Sequence, residues 1–136
     1  MKVSLFTLCD AATEWYGKLN ILGPFDTIYS PQTPTVHPAC AVVTSLKFEP
    51  IEEGIHRIKL RFGDADGREI LQAVEMQLNV ILPPGAQYLT ANSIFNLQQL
   101  KLPRFGEYSV DLAVDGKQEG SLSLFVQEVK PNRMAA

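Results

Sequence analysis

Between Ile55 and Phe62 the chain reads IHRIKLRF, so His56, Ile58, Leu60 and Phe62 fall on one side of an extended strand and Arg57, Lys59 and Arg61 on the other. A period of two does not form a helical stripe, and the segment is therefore expected to be a half-buried strand with one wet face. The same alternation returns at Val42, Thr44, Leu46 and Phe48, at Val74, Met76, Leu78, Val80 and Leu82, at Tyr108, Val110, Leu112 and Val114, and at Leu122, Leu124 and Val126. Shorter apolar runs at 3–9, 18–29 and 94–102 bring the expected total to about seven to nine strands. Helical spacing is confined to DAATEWYG, where Asp10 would cap and Gly17 would stop a helix, and to a turn around 91–97. The proline-interrupted GPFDTIYSPQTPTVHPA is expected to be a long surface connection, because each proline removes a ladder donor.

Short strands separated by glycine and proline turns point to an all-β sandwich or barrel, and FGEYSVDL favours the sandwich. There Tyr108 stands at the start of an alternating strand, the place where immunoglobulin-like domains use a tyrosine hydroxyl to bond upstream backbone, with Val110 in place of the cysteine such domains can carry. The expected fold is an immunoglobulin-like antiparallel β-sandwich in one domain over residues 1–130, with 131–136 (PNRMAA) as a frayed tail. A chain of 136 residues can bury such a core without staples. Its formal charge of −3 supplies no basic field for nucleic acid. The apolar start is broken by Asp10, too early for a signal-peptide core, and two cysteines are too few for a disulfide framework, so a cytoplasmic protein with no membrane contact is expected.

The stretch FGDADGREI invites a calcium loop, but counting from Asp64 puts Arg68 and Glu69 where a ligand and a glycine belong. Strand parity offers a turn instead. Inward residues are even-numbered on both sides, which a three-residue loop of Ala65, Asp66 and Gly67 preserves, with Gly67 left-handed and Arg57 facing Glu75. Cys9, His37, Cys40 and His56 are spaced too loosely for a zinc site, and His56 is expected as a satisfied inward histidine. With no nucleophile elbow and no phosphate-cradling loop, no catalytic residue, metal or cofactor is expected. Trp15 and Tyr16 offer either a stacking platform for a sugar or a plug for one end of the sandwich. Phe125 and Val129 point away from the inward face of the last strand, alongside outward Ile55 and Ile81; either Phe25, Ile28 and Tyr29 of the long connection shield them, or a second copy or partner docks there.

Three stretches, YGKLNILGPFD, EEGIHRIKLRFGDADG and GEYSVDLAVDG, resemble a family of small, uncharacterised bacterial and phage-associated proteins. That resemblance implies a β-sandwich and carries over no catalytic residues. The functional expectation is a non-enzymatic interaction or structural module acting on an unknown protein partner or as a homo-oligomer, with a small-ligand or carbohydrate-binding domain as the alternative.

Overall fold

Alternation becomes strand nearly everywhere it was read, and the strands run longer than expected. The computed structural model describes residues 1–130, so the tail expected at 131–136 lies outside the described residues. The order is β1 (Lys2–Trp15), β2 (Lys18–Pro24), β3 (Thr27–Ser30), β4 (Thr35–Phe48), a single 3-10 turn (Pro50–Glu52), β5 (Gly54–Asp64), β6 (Glu69–Val80), β7 (Leu89–Leu102), β8 (Gly106–Val114) and β9 (Lys117–Glu128). They form a four-stranded sheet, β2-β1-β4-β7, and a five-stranded sheet, β3-β9-β8-β5-β6. All pairings are antiparallel except β3 with β9, which is parallel. The inward sides of both sheets share one core, centred on Phe48, Phe62, Leu60, Leu102 and Leu112. Removing each such side chain from water contributes roughly 1.5–3 kcal/mol. No helix among the described residues is long and apolar enough to cross a membrane.

Both expected helices are strands. Residues 91–97 lie inside β7, paired with β4. DAATEWYG forms the end of β1 and a two-residue turn, because Tyr16 (φ 49°) and Gly17 (φ 75°) take the two left-handed conformations that match strand twist in a tight hairpin. The proline-rich stretch is also more ordered than a connection. Its Thr27–Ser30 portion adds β3 beside β9, and Thr35 onward opens β4. Pro31 and Pro34 stay outside the strands, whereas Pro38 lies within β4 between the paired His37 and Ala39, past the last β1 partner at Ala41.

The loop between β5 and β6 is the expected one. Gly67 N–H donates to Asp64 O (3.0 Å), Asp64 N–H donates to Arg68 O (2.9 Å), and Gly67 is left-handed at φ 80°. The facing pair differs, however. Two register shifts beyond the loop set Lys59 opposite Glu75 and Arg57 opposite Gln77. The even sum survives, so the faces match, but the expected Arg57–Glu75 pair does not form.

Central β4 explains a run that alternation does not describe. Residues Cys40 to Leu46 are all buried, the inner side by the core and the outer side by a second apolar cluster of Cys9, Ala41 and Val43. The cover comes from the β1–β2 hairpin, whose Ala12, Leu19 and Ile21 pack on that cluster. Its tip reaches β7, where Asn92 Nδ2 donates to Glu14 Oε2 (2.8 Å) and Gly17 O (3.1 Å). β4 lies between β1 and β7, so the hairpin crosses its outer face. Where the crossing begins, Asp10 approaches Gly23 so closely that a Cβ there would sit 2.6 Å from Asp10 Oδ2.

Candidate functional site

The curled hairpin buries one face and displays the other. Directly opposed pairs on the displayed face are Trp15 with Lys18, Thr13 with Asn20 and Ala11 with Leu22. At the tip, Trp15 is 68% and Tyr16 86% exposed, with ring centroids 4.8 Å apart and planes 75° apart. An edge-to-face pair stiffens both rings and leaves broad faces open. The expected plug is thus overturned: the tight turn carries both aromatics outward on a convex tip. Tyr16 is also in a backbone conformation that costs a bulky residue about 1–2 kcal/mol and that asparagine adopts readily. Two unfavourable features coincide at one residue, exposure of a large ring and left-handed strain.

Phe125 does point outward, on the five-stranded sheet, and is 41% exposed. The expected shield does not lie over it. Because β3 joins the same sheet, Thr27 sits beside Phe125 in register and Tyr29 is exposed nearby, while Ile28 turns into the core. Val129 is half-buried and donates its N–H to Ser30 O (3.1 Å). Ile55 is no neighbour of this patch. Phe125 faces Glu107, and the adjacent Tyr108 faces Asp64 of β5, so Ile55 lies nine residues further along β5, or about 30 Å away.

A concave surface occurs at the end of the molecule where β4 begins, β7 ends and the β5–β6 loop folds over. It is an apolar groove of about 670 Å³, floored by Val36, Ile70 and Leu102 and rimmed by Arg68, Lys101 and Arg104. Asp64 organises one wall. Its Oδ1 accepts the N–H groups of Asp66 and Arg68 (both 2.9 Å) and its Oδ2 accepts from Arg104 (3.2 Å). The Arg68 N–H above all, then the Asp66 N–H and the Arg104 guanidinium, hold its carboxyl below the usual range. The DADG stretch is therefore a turn whose first aspartate is occupied by protein donors. Tyr108 O–H donates to Arg104 O (2.7 Å) and accepts from Arg104 N–H (3.0 Å), the backbone anchor expected of it. Sequence reasoning missed the groove, since its lining comes from three distant segments that change face at Pro38 and at Gln99, the latter left-handed at φ 54°.

Cys9 and Cys40 are buried free thiols. Burial pushes Cys40 up to about 11, and Cys9 is raised for the same reason. His56 packs on Phe48, which lies eight residues along β4 from Cys40, or about 26 Å. His56 Nδ1 meets Asp115 Oδ2 and Nε2 meets Glu52 O, both at 2.6 Å. Two acceptors favour the protonated imidazole; the Glu52 carbonyl foremost, and then Asp115, raise its pKa. The expected satisfied inward histidine is found, with both nitrogens engaged.

These features define an all-β, two-sheet domain with an exposed aromatic pair at the tip of its β1–β2 hairpin. The chain belongs to the family of unknown function DUF6941, which matches residues 4–127. No curated protein matches it.

Proposed function

We propose that this chain is a non-enzymatic interaction module of immunoglobulin-like architecture, and that it docks a protein partner by inserting the Trp15–Tyr16 tip into an apolar pocket. The observation that carries the proposal is Tyr16, strained at φ 49° and 86% exposed, where an asparagine would serve the turn better. Rigid aromatic anchors of this kind supply much of the binding energy at protein interfaces. The architecture is supported by the Tyr108 anchor and by strand order: β9-β8-β5-β6 follows the G-F-C-C′ order of variable domains and β1-β4-β7 the A-B-E order, with β2 appended. A non-catalytic role is supported by His56, whose two nitrogens are both engaged by protein groups, the Asp115 carboxylate and the Glu52 carbonyl. A cytoplasmic location agrees with two free, buried thiols.

The test uses Tyr16→Asn, which should fold normally and gain about 1 kcal/mol in urea denaturation. A protein retained from a cell extract by the wild type and lost by the variant is then purified. Binding of that protein weakened by roughly tenfold in Tyr16→Asn supports the tip. Equal binding to both forms, or no gain in stability, overturns it.

The groove of about 670 Å³ favours a second reading, a site for a small amphipathic anion whose apolar body lies on Val36, Ile70 and Leu102 and whose charge meets Lys101 and Arg68. The probe is 8-anilinonaphthalene-1-sulfonate. Saturable fluorescence enhancement that Lys101→Glu abolishes supports this reading, whereas enhancement indifferent to Lys101→Glu rejects it.

A further inference from the structure

Four strands end the two sheets, β2 and β7 in one and β3 and β6 in the other. Three of them are guarded against further pairing. β2 starts at Lys18 and closes on Gly23 and Pro24, β3 is four residues long between Pro24 and Pro31, and β7 is held at Asn92 by the tip of the β1–β2 hairpin and interrupted near its end by left-handed Gln99. β6 is different: its 12 residues, EILQAVEMQLNV, contain no proline, glycine or lysine. Past the register shifts at its start, residues 74–80 form a regular ladder with β5 and leave their other side unpaired. Val74, Met76 and Leu78 are only half-buried there, and Ile81, just beyond, is 66% exposed.

We propose that β6 pairs antiparallel with β6 of a second copy of this chain, about a two-fold axis through Gln77, merging two five-stranded sheets into one continuous sheet. Among axes through the outward-facing residues of β6, charge and side-chain pairing select this one. With Gln77 opposite itself, Met76 faces Leu78 and Val74 faces Val80 on the inner side, while Glu75 faces Asn79 and Ala73 faces Ile81 on the outer side. Each apolar group gains an apolar partner, and Glu75 keeps its own Lys59 at 3.6 Å. An axis through Glu75 would oppose two carboxylates. An axis through Asn79 would set Pro83, which has no N–H, against Glu75. An axis through Ala73 would run into the register shifts near Phe62 and Leu71, which twist the edge away. Residues 73–81 of each copy make a small interface, so the association is weak and concentration-dependent.

Three variants measured by light scattering and non-reducing electrophoresis test this. The wild-type mass should rise from monomer toward dimer with concentration. Gln77→Lys places two lysines on the axis between two Arg57 side chains and should weaken association by roughly tenfold or more with the far-ultraviolet dichroism unchanged. Gln77→Cys should form an interchain disulfide under mild oxidation, because residues opposed on the axis lie within disulfide reach. Glu75→Cys should not, since its two copies would lie about 13 Å apart. A wild type that stays monomeric at every concentration overturns the proposal. So does a Glu75→Cys chain that cross-links as readily as Gln77→Cys, or a Gln77→Lys chain that associates like wild type.

Discussion

Gly67 and Tyr108 show how single residues secure the end of the molecule that carries the groove. A Cβ on Gly67 would meet nothing within 4 Å, so any penalty for replacing it comes from the left-handed backbone alone. Gly67→Val should therefore destabilise the protein by about 1–3 kcal/mol and Gly67→Asn by less. Equal urea midpoints for the two would show that the turn does not depend on left-handed geometry. Tyr108→Phe keeps the buried ring but leaves both backbone groups of Arg104 without their partner, which should cost about 1–2 kcal/mol. An unchanged midpoint would mean that water replaces the hydroxyl without loss. Both residues were legible in the sequence because each answers a local demand: a loop length set by parity, and a hydroxyl at the start of a strand. Tyr16 was not, since a tyrosine in a turn position that favours asparagine or glycine sends no local signal of the turn.

At the scale of elements, the β1–β2 hairpin is a cover over β4 held by half-buried Leu19 and Ile21, each contributing roughly 1–2 kcal/mol. Ile21→Asp should lift this cover while the main core, which does not include Ile21, stays folded. The readout is Cys9, which lies beneath the hairpin, whereas Cys40 belongs to the inner core. Neither thiol should react with a disulfide reagent in the native wild type, and about one per chain should react in Ile21→Asp. Reaction of both thiols together would mean that hairpin and sandwich open as one unit. Strands with one wet face announced themselves by alternation, and β5 and β8 stand where their patterns put them. The elements that were misread depend on non-local contacts. β3 is a strand only because β9 lies beside it, and the apparent helix at 10–17 is extended because its apolar residues serve a face that crosses another strand. The groove needs three segments and two changes of face, which no single stretch of sequence displays.

For the whole molecule, the charged groups tied into the fold set a pH window. The His56 pKa is raised, chiefly by the Glu52 carbonyl and then by Asp115, so its contribution is complete below its ordinary value near ~6.5 and is lost as pH rises through the folded value. Asp115 is lowered, first by the N–H of Arg57 and then by His56, and Asp64 is lowered first by the N–H of Arg68. Their contributions run the other way, complete above ~3.9 and lost as pH falls through their folded values. Stability should therefore be greatest between about pH 4 and 6.5 and decline on both sides. On the alkaline side, deprotonation of His56 leaves a lone pair facing either the Glu52 carbonyl or the Asp115 carboxylate. The 3-10 turn that supplies Glu52 and the β8–β9 turn that supplies Asp115 are then no longer linked through one imidazolium. Urea midpoints measured from pH 5 to 9 should fall with increasing pH in the wild type. The decline should flatten in His56→Gln, which can still donate one hydrogen bond but carries no proton to lose. An equally steep decline in His56→Gln would assign the alkaline limb to other groups and leave His56 a packing residue against Phe48.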